Sequence, residues 1–208
     1  WLGTVGGLLR FNPAGGTLER FLHAPDDPFS IRKGPVNAIM KDRNGNIWFG
    51  TNEGISLLNK EGNKLSHNHF FTVQAAFKKI AKTEGINAVL ELKDALWLAT
   101  QNGVYQYSNK SILKTVSNGN FSALFHDKQK NEVYTGTSGD GFYVFDANSF
   151  TQIRHVLKSN IGETKNSNTV KGQRINSFAK DCMGYIWIAA NGCLNRFDPA
   201  SAQIRKFH

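Results

Sequence analysis

The chain has 208 residues, 40% of them hydrophobic and 20% charged, with a formal net charge of +9. That length and balance suit a globular chain with a sizeable core, and no apolar run approaches the ~20 residues of a membrane helix. The positive excess could draw nucleic acid, a membrane surface or an acidic glycan, but the basic residues are spread out. Mild clusters at Lys78, Lys79 and Lys82 and at Lys165, Lys171 and Arg174 have no nucleic-acid motif beside them, and a solvated surface is the plainer reading. The chain opens on Trp1-Leu2-Gly3-Thr4, with no Met and no basic leader. It therefore reads as a fragment whose flanking sequence would carry any targeting or membrane segment.

Taken in order, the chain repeats itself. Trp1-Leu2-Gly3-Thr4 is followed by Gly7-Leu8-Leu9-Arg10-Phe11 and then by a weaker strand pattern, Thr17–Phe21. Asp26 and Asp27 precede Pro28, where short acidic residues favour a turn. Val36-Asn37-Ala38-Ile39 leads to Asp42, a Gly-Asn turn, Ile47-Trp48-Phe49-Gly50-Thr51, Gly54-Ile55-Ser56-Leu57-Leu58 and a weak fourth run, Lys64–Phe70. His67 and His69 lie on that run; two apart, they would share a strand face as metal ligands do, yet no third ligand is evident and two half-exposed outer-strand histidines are the simpler reading. Residues 73–82 place Val73, Ala76, Phe77 and Ile80 on one helical face and predict a short inserted helix.

The pattern then returns as Ile86-Asn87-Ala88-Val89, Leu96-Trp97-Leu98-Ala99-Thr100, Gly103-Val104-Tyr105 and Ser111–Val116. It returns again as Phe121-Ser122-Ala123-Leu124, Val133-Tyr134-Thr135-Gly136-Thr137, Gly141-Phe142-Tyr143 and Gln152–Leu157. A polar stretch, 159–172, reads as a long flexible loop. The last copy is Ile175-Asn176-Ser177-Phe178, Ile186-Trp187-Ile188-Ala189-Ala190, Gly192-Cys193-Leu194 and Gln203–Phe207.

Four short strands per copy, rich in Val, Ile, Phe, Tyr and Trp and bounded by Gly or Asn turns, are the pattern of β-propeller blades. The expected fold is all-β: a propeller fragment of about five four-stranded antiparallel blades at 1–30, 35–71, 85–117, 120–158 and 174–208, the first lacking its first strand. Gly3, Gly50, Ala99, Gly136 and Ala189 follow the aromatic by two residues, and a small side chain there leaves room for an aromatic of the neighbouring blade. The open faces at the two ends are a pairing and aggregation liability.

The string from Asp42 to Ile55, Asp-x-x-Gly-Asn-Ile-Trp-Phe-Gly-Thr-x-x-Gly-Ile, resembles the two-component regulator propeller repeat, as do Leu8 to Pro13 and Leu194 to Pro199. The resemblance spans essentially the whole chain. It implies a seven-bladed ring, of which this chain holds too few blades. It also implies an extracytoplasmic, periplasmic position in an inner-membrane protein, a hybrid sensor histidine kinase parent, and sensing of glycan breakdown products. No kinase element is present in the chain itself.

No nucleophile motif appears, so no catalytic residue, metal site or cofactor is expected in this fragment. Cys182 and Cys193 are placed at opposite ends of a blade, beyond the ~7 Å limit for a disulfide, and are expected to be free. The strand-four-to-one and strand-two-to-three loops share one rim. That rim would carry Arg32, Lys33, Asn37, Asn52, Glu53, Asn87, Gln101, Asn102, Asp140, Arg174, Asn176 and Asn191, with Ser122, Ser138 and Gln173 beside them. Amides suit sugar hydroxyls, and Arg32, Lys33 and Arg174 favour a carboxylated or sulfated oligosaccharide; the alternative is that these side chains cap loops or bind channel water. The other partners expected are the remaining blades, downstream signalling domains and a second copy in a homodimer, with no nucleic acid. A protein-interaction scaffold, or a metal-dependent propeller lyase with Glu53 as its base, are the competing readings.

Overall fold

The computed structural model describes residues 1–27, 29–58, 65–66, 84–93, 95–108, 111–117, 119–159 and 168–207. The expected helix at 73–82, His67 and His69, Pro28 and residues 160–167 of the polar loop lie outside the described residues. The described elements are all strands. The first sheet has three, β1 (Leu2–Thr4), β2 (Gly7–Asn12) and β3 (Thr17–Phe21). The second holds β4 (Val36–Lys41), β5 (Ile47–Thr51), β6 (Gly54–Leu58) and β7 (Leu65–Ser66). The third holds β8 (Ile86–Leu92), β9 (Ala95–Thr100), β10 (Gly103–Ser108) and β11 (Ser111–Ser117). The fourth holds β12 (Phe121–Asp127), β13 (Glu132–Thr137), β14 (Phe142–Asp146) and β15 (Gln152–Val156). The fifth holds β16 (Ile175–Lys180), β17 (Ile186–Ala190), β18 (Cys193–Phe197) and β19 (Ile204–Phe207). Each sheet is a meander in sequence order, because tight turns such as Asn52-Glu53 can join only antiparallel neighbours.

Two compact units result: residues 1–101 with 105–113, and residues 102–104 with 114–208. In the first, Leu8 of the first sheet packs with Ile31, Val36, Phe49 and Leu58 of the second. A further cluster joins Trp48, Ile55 and Leu57 of the second sheet to Ile86, Leu98 and Tyr105 of the third. In the second unit Tyr134, Phe142 and Val144 of the fourth sheet meet Ile175, Ile186, Ile188 and Phe197 of the fifth. Sheets thus stack face to face, and burial of these aromatic and branched side chains is the main driving force.

The small residue after each aromatic is explained by these joints. A Cβ added at Gly50 would stand 2.8 Å from Ile86 Cγ2, and one at Gly136 would stand 2.5 Å from Ile175 Cγ2. At Gly3 it would meet Val36 Cγ1 at 3.1 Å. The side chain occupying the slot is therefore the branched aliphatic that opens the next first strand. At Gly136 the expected aromatic of the neighbouring sheet is present as well, with Phe178 Cε2 at 3.3 Å from the added Cβ.

Polar ties lock the sheet ends. Asp42 Oδ1 accepts the N–H groups of Asn44 and Asn46 at 2.9 Å each, and Oδ2 accepts the Trp48 indole N–H at 2.9 Å. Asp181 repeats the clasp with Met183, Tyr185 and Trp187. In the third sheet Glu91 holds the equivalent place, six before Trp97. It reaches instead to the second sheet, accepting from Arg43 N and Nε at 2.8 and 3.1 Å. Asp127 and Lys180 join the fourth and fifth sheets, with Nζ 2.7 Å from both carboxylate oxygens. Burial pushes the Asp42 carboxyl up, but the Asn46 and Trp48 side-chain donors and the turn N–H groups outweigh it and hold it below its ordinary value. Asp42→Ala is expected to cost about 2 kcal/mol through loss of charge-assisted bonds, read as a lowered urea midpoint with a red-shifted Trp48 emission.

The two ends of the polar loop are tied to each other. Ser159 N donates to Val170 O at 2.7 Å and Val170 N to Leu157 O at 2.9 Å, and the Val170 side chain is fully buried. Cys182 lies in the turn beyond Lys180, where β16 ends, rather than at the end of the strand as expected, and Cys193 opens β18; both are free.

Candidate functional site

The candidate site grows out of a defect repeated in every complete sheet. The pairing of the first strand slips by one between Val36 and Ala38, Ile86 and Ala88, Phe121 and Ala123, and Ile175 and Ser177. The residue left out of the ladder is Asn37, Asn87, Ser122 or Asn176. A bulge bends its strand and re-aims the extra side chain, a device common at functional edges. Two of these amides meet the turn after the second strand: Asn37 Nδ2 donates to Asn52 Oδ1 at 2.7 Å, and Asn176 Nδ2 donates to Asn191 Oδ1 at 2.9 Å. All four are exposed, so each pair keeps one amide oxygen and one NH2 group turned to solvent. Asn87 is buried, and Ser122 donates to Ile175 O at 2.5 Å, which makes it a joint residue.

In the first unit the loop before β4 adds charge to the Asn37–Asn52 pair. Ile31 is buried and plugs the core, and Arg32 N donates to Ser56 Oγ at 3.0 Å. These anchors hold Arg32 half-buried. Burial lowers its pKa, and the Glu53 charge opposes the shift. The Arg32 Nε is buried and finds no acceptor among the described residues. A guanidinium donor in that state is a demand for an acceptor. Lys33 and Glu53 are exposed, and Gln101, also exposed, donates its N–H to Gly85 O at 3.1 Å. Nearby in the chain, Glu84 accepts from Thr100 Oγ1 at 2.9 Å and from the Tyr105 hydroxyl at 3.0 Å. Burial, then the Glu84 hydrogen bond and charge, push the Tyr105 hydroxyl far above its usual range.

The second unit repeats the frame with other side chains. Val170 is the plug, and the buried Asn195 side chain clasps both backbone groups of Lys171 at 2.9 Å. Arg174 O accepts the Asn191 N–H at 2.9 Å, and Arg174 forms a backbone bridge with Ser138. Gln173 and Asn102 are exposed. Asp140 turns elsewhere: it accepts the Tyr143 hydroxyl at 2.5 Å, and its backbone oxygen lies 2.9 Å from His155 Nε2, whose ring stacks on Tyr143 at 3.9 Å. Asp140 therefore belongs with the outer strand β15 and not with the Asn176–Asn191 pair. Asp27 caps its turn through the Phe29 N–H at 2.8 Å.

Sequence reasoning missed the anchors Ser56 and Asn195 and the partners Glu84 and His155. The one available signal was a polar residue inside an apolar third strand, as in Cys193-Leu194-Asn195-Arg196-Phe197. Among the described residues no three His, Cys, Asp or Glu side chains gather in a way that could hold a metal. What the arrangement offers is recognition: one cation with an unmet donor, one carboxylate and a paired amide edge.

The sequence profile described as two component regulator propeller matches residues 30–53, which span the Arg32 loop, the bulge and the Trp48 clasp. No curated protein matches the chain in sequence. Two solved structures are the extracellular domains of proteins described as hybrid two component systems of B. thetaiotaomicron. Their TM-scores are 0.68 and 0.70 at 18% and 20% identity, with 100% of this chain covered. The chain spans about a quarter, 26%, of the length of each. A virginiamycin B lyase of Staphylococcus aureus has a TM-score of 0.57 at 12% identity over 83% of this chain and 55% of its own. At these identities the likeness is one of fold: the sheets are β-propeller blades, the first built from three strands.

Proposed function

From a chain that carries a two component regulator propeller repeat at residues 30–53, we infer a ligand-sensing propeller segment of an extracytoplasmic signalling receptor, one that binds an oligosaccharide bearing carboxylate or sulfate groups. The sensing role is supported by the family match together with full-length similarity in fold to extracellular domains of hybrid two component systems. The chain spans a quarter of the length of those domains, and in this reading a membrane anchor and a kinase output would come from other parts of the receptor.

The observation that carries the ligand chemistry is the half-buried Arg32, with its unmet Nε, on the loop that leads into β4 and the Asn37–Asn52 pair. A planar carboxylate or a sulfate can take two parallel guanidinium bonds, and the adjacent amide edge can donate to one hydroxyl and accept from another. Calorimetric titration with a uronic-acid oligosaccharide and its neutral counterpart tests this. The acidic sugar is expected to bind more tightly, and Arg32→Ala to weaken it roughly 10- to 100-fold, the worth of one or two charge-assisted hydrogen bonds. Equal binding of both sugars, or affinity unchanged in Arg32→Ala and Arg174→Ala, would overturn the reading.

A further inference from the structure

The peptide unit between Ile31 and Arg32 is held at both poles. Its carbonyl oxygen, Ile31 O, lies 2.9 Å from His23 Nδ1, and its N–H donates to Ser56 Oγ at 3.0 Å. A carbonyl can only accept, so Nδ1 carries the hydrogen, and the imidazole closes the base of the loop that starts at His23. Inside that loop the buried Ser30 places its Oγ 2.9 Å from both Ala24 O and Asp27 O. The Ile31 side chain is sunk in the core. With its plane fixed from both sides, this peptide sets the direction in which the Arg32 side chain leaves the backbone.

The same double clamp recurs in the second unit, built from other groups. Val170 precedes Ile175 by as many residues as Ile31 precedes Val36, so Lys171 holds the place of Arg32. Val170 O accepts the Ser159 N–H at 2.7 Å, and Lys171 N donates to Asn195 Oδ1 at 2.9 Å. Asn195 and Ser56 are equivalent in register: each pairs with the residue that follows the second-strand Trp, Ile188 in one sheet and Phe49 in the other. A buried plug, a peptide clamped at both poles and a cation thus follow one another in both units. One difference matters. In the second unit the donor to the carbonyl is a backbone N–H, whereas in the first it is the His23 side chain, which a single substitution can remove.

We propose that His23 is a positioning residue of the Arg32 site: by clamping the Ile31–Arg32 peptide against Ser56 it holds the guanidinium ready for an anionic group of the ligand, a role that rests on the acidic-oligosaccharide function inferred above. Without the imidazole the peptide is free to rotate about its single remaining anchor, and the guanidinium must be ordered at the moment of binding. Pre-organised donors avoid that cost. The Asn37–Asn52 amide edge is held by its own hydrogen bond and by the bulge of β4, so contacts to neutral hydroxyls do not pass through His23.

Amide hydrogen exchange on the ligand-free protein, followed by NMR, reads the clamp directly. The Arg32 N–H is expected to exchange roughly 10-fold faster in His23→Ala, the worth of about one hydrogen bond. His23→Asn, whose amide nitrogen is bonded to Cγ as Nδ1 is, should restore the wild-type rate; His23→Gln, with its nitrogen one bond farther out, should not. His23 is exposed, so the fold should tolerate all three substitutions. Calorimetric titration with a uronic-acid oligosaccharide and its neutral counterpart reads the consequence. His23→Ala is expected to weaken the acidic sugar roughly 3- to 10-fold and leave the neutral one unchanged. In an Arg32→Ala background it should add nothing, as for two residues that act through one contact. An Arg32 amide that exchanges no faster in His23→Ala overturns the clamp. Unchanged affinity for the acidic sugar, equal weakening of both sugars, or a full further loss on top of Arg32→Ala overturns the positioning role. A wild-type chain with no preference for the acidic sugar overturns the function inferred above and this role with it; faster exchange in His23→Ala would then mark the failure as one of the ligand assignment and not of the clamp.

Discussion

Gly136→Leu is expected to lower the stability of the second unit by about 3 kcal/mol or more, among the larger effects a single residue can have. The added Cβ alone would lie 2.7 Å from Ile175 Cβ and 2.5 Å from its Cγ2, and the rest of the leucine has nowhere to go but between two stacked backbones. Packed interiors do not yield by that much without separating the sheets. Calorimetry should place the melting transition roughly 6–12 °C lower. Ile175→Ala in the same chain removes the obstructing branch and is expected to return part of the loss. Such recovery is the sign of direct contact between the two sites. Gly6→Leu is the control: nothing lies within 4 Å of a Cβ there, and the effect should be near zero.

Asp127→Ala is expected to cost about 3 kcal/mol, because it strands a largely buried ammonium. The Asp127 side chain is 1% exposed and that of Lys180 16%, and the carboxylate also holds the Gln129 N–H at 3.0 Å. Replacing the pair by Asp127→Leu with Lys180→Met should recover most of the loss, since two apolar groups leave no buried charge. The pH dependence has a definite sign. Burial pushes the Asp127 carboxyl up, but the Lys180 hydrogen bond, the backbone donors and the Lys180 charge together hold it below the ordinary 3.8. A carboxyl depressed in the folded state contributes its full stabilisation above that ordinary value and loses it as pH falls through the lower, folded-state value. Urea unfolding at about pH 6, 4 and 3 should therefore show stability falling steeply at the acid end, less so in Asp127→Asn.

The architecture was legible because its signals are local and repeated. Ile47-Trp48-Phe49-Gly50-Thr51 and Ile186-Trp187-Ile188-Ala189-Ala190 announce the same strand in different surroundings, and the glycine after each marks the same turn. What fills the slot beside Gly50 was not legible: the identity of Ile86 is local, but its approach to Gly50 is a property of two sheets. The bulge at Asn37 was hidden for a similar reason. A one-residue slip lies in the pairing of β4 with β5, and neither strand carries it alone. The loop order placed Asn37, Asn52, Asn176 and Asn191 on one rim, yet only the geometry joins them as pairs. Arg32 was named for its charge; its half-buried Nε depends on Ile31 and Ser56 anchoring the loop. Asp140 was grouped with the rim because its turn lies there, whereas Tyr143 and His155 draw it to the outer strand. The reach of Glu91 past its own turn to Arg43 is likewise a property of two sheets, with no mark in the local sequence.

Everything rests on the aromatic–small–Thr segments being second strands whose small residue receives the opening side chain of the next sheet. Nuclear Overhauser spectroscopy on chains labelled at the isoleucine γ2 methyls reads that packing directly. The predicted result is a strong cross-peak between the Ile86 methyl and the Gly50 Hα protons, and another between the Ile175 methyl and those of Gly136. Methyl cross-peaks confined to each residue's own sheet, from Ile86 to Thr100 and from Ile175 to Ala190 with none to either glycine, would contradict it.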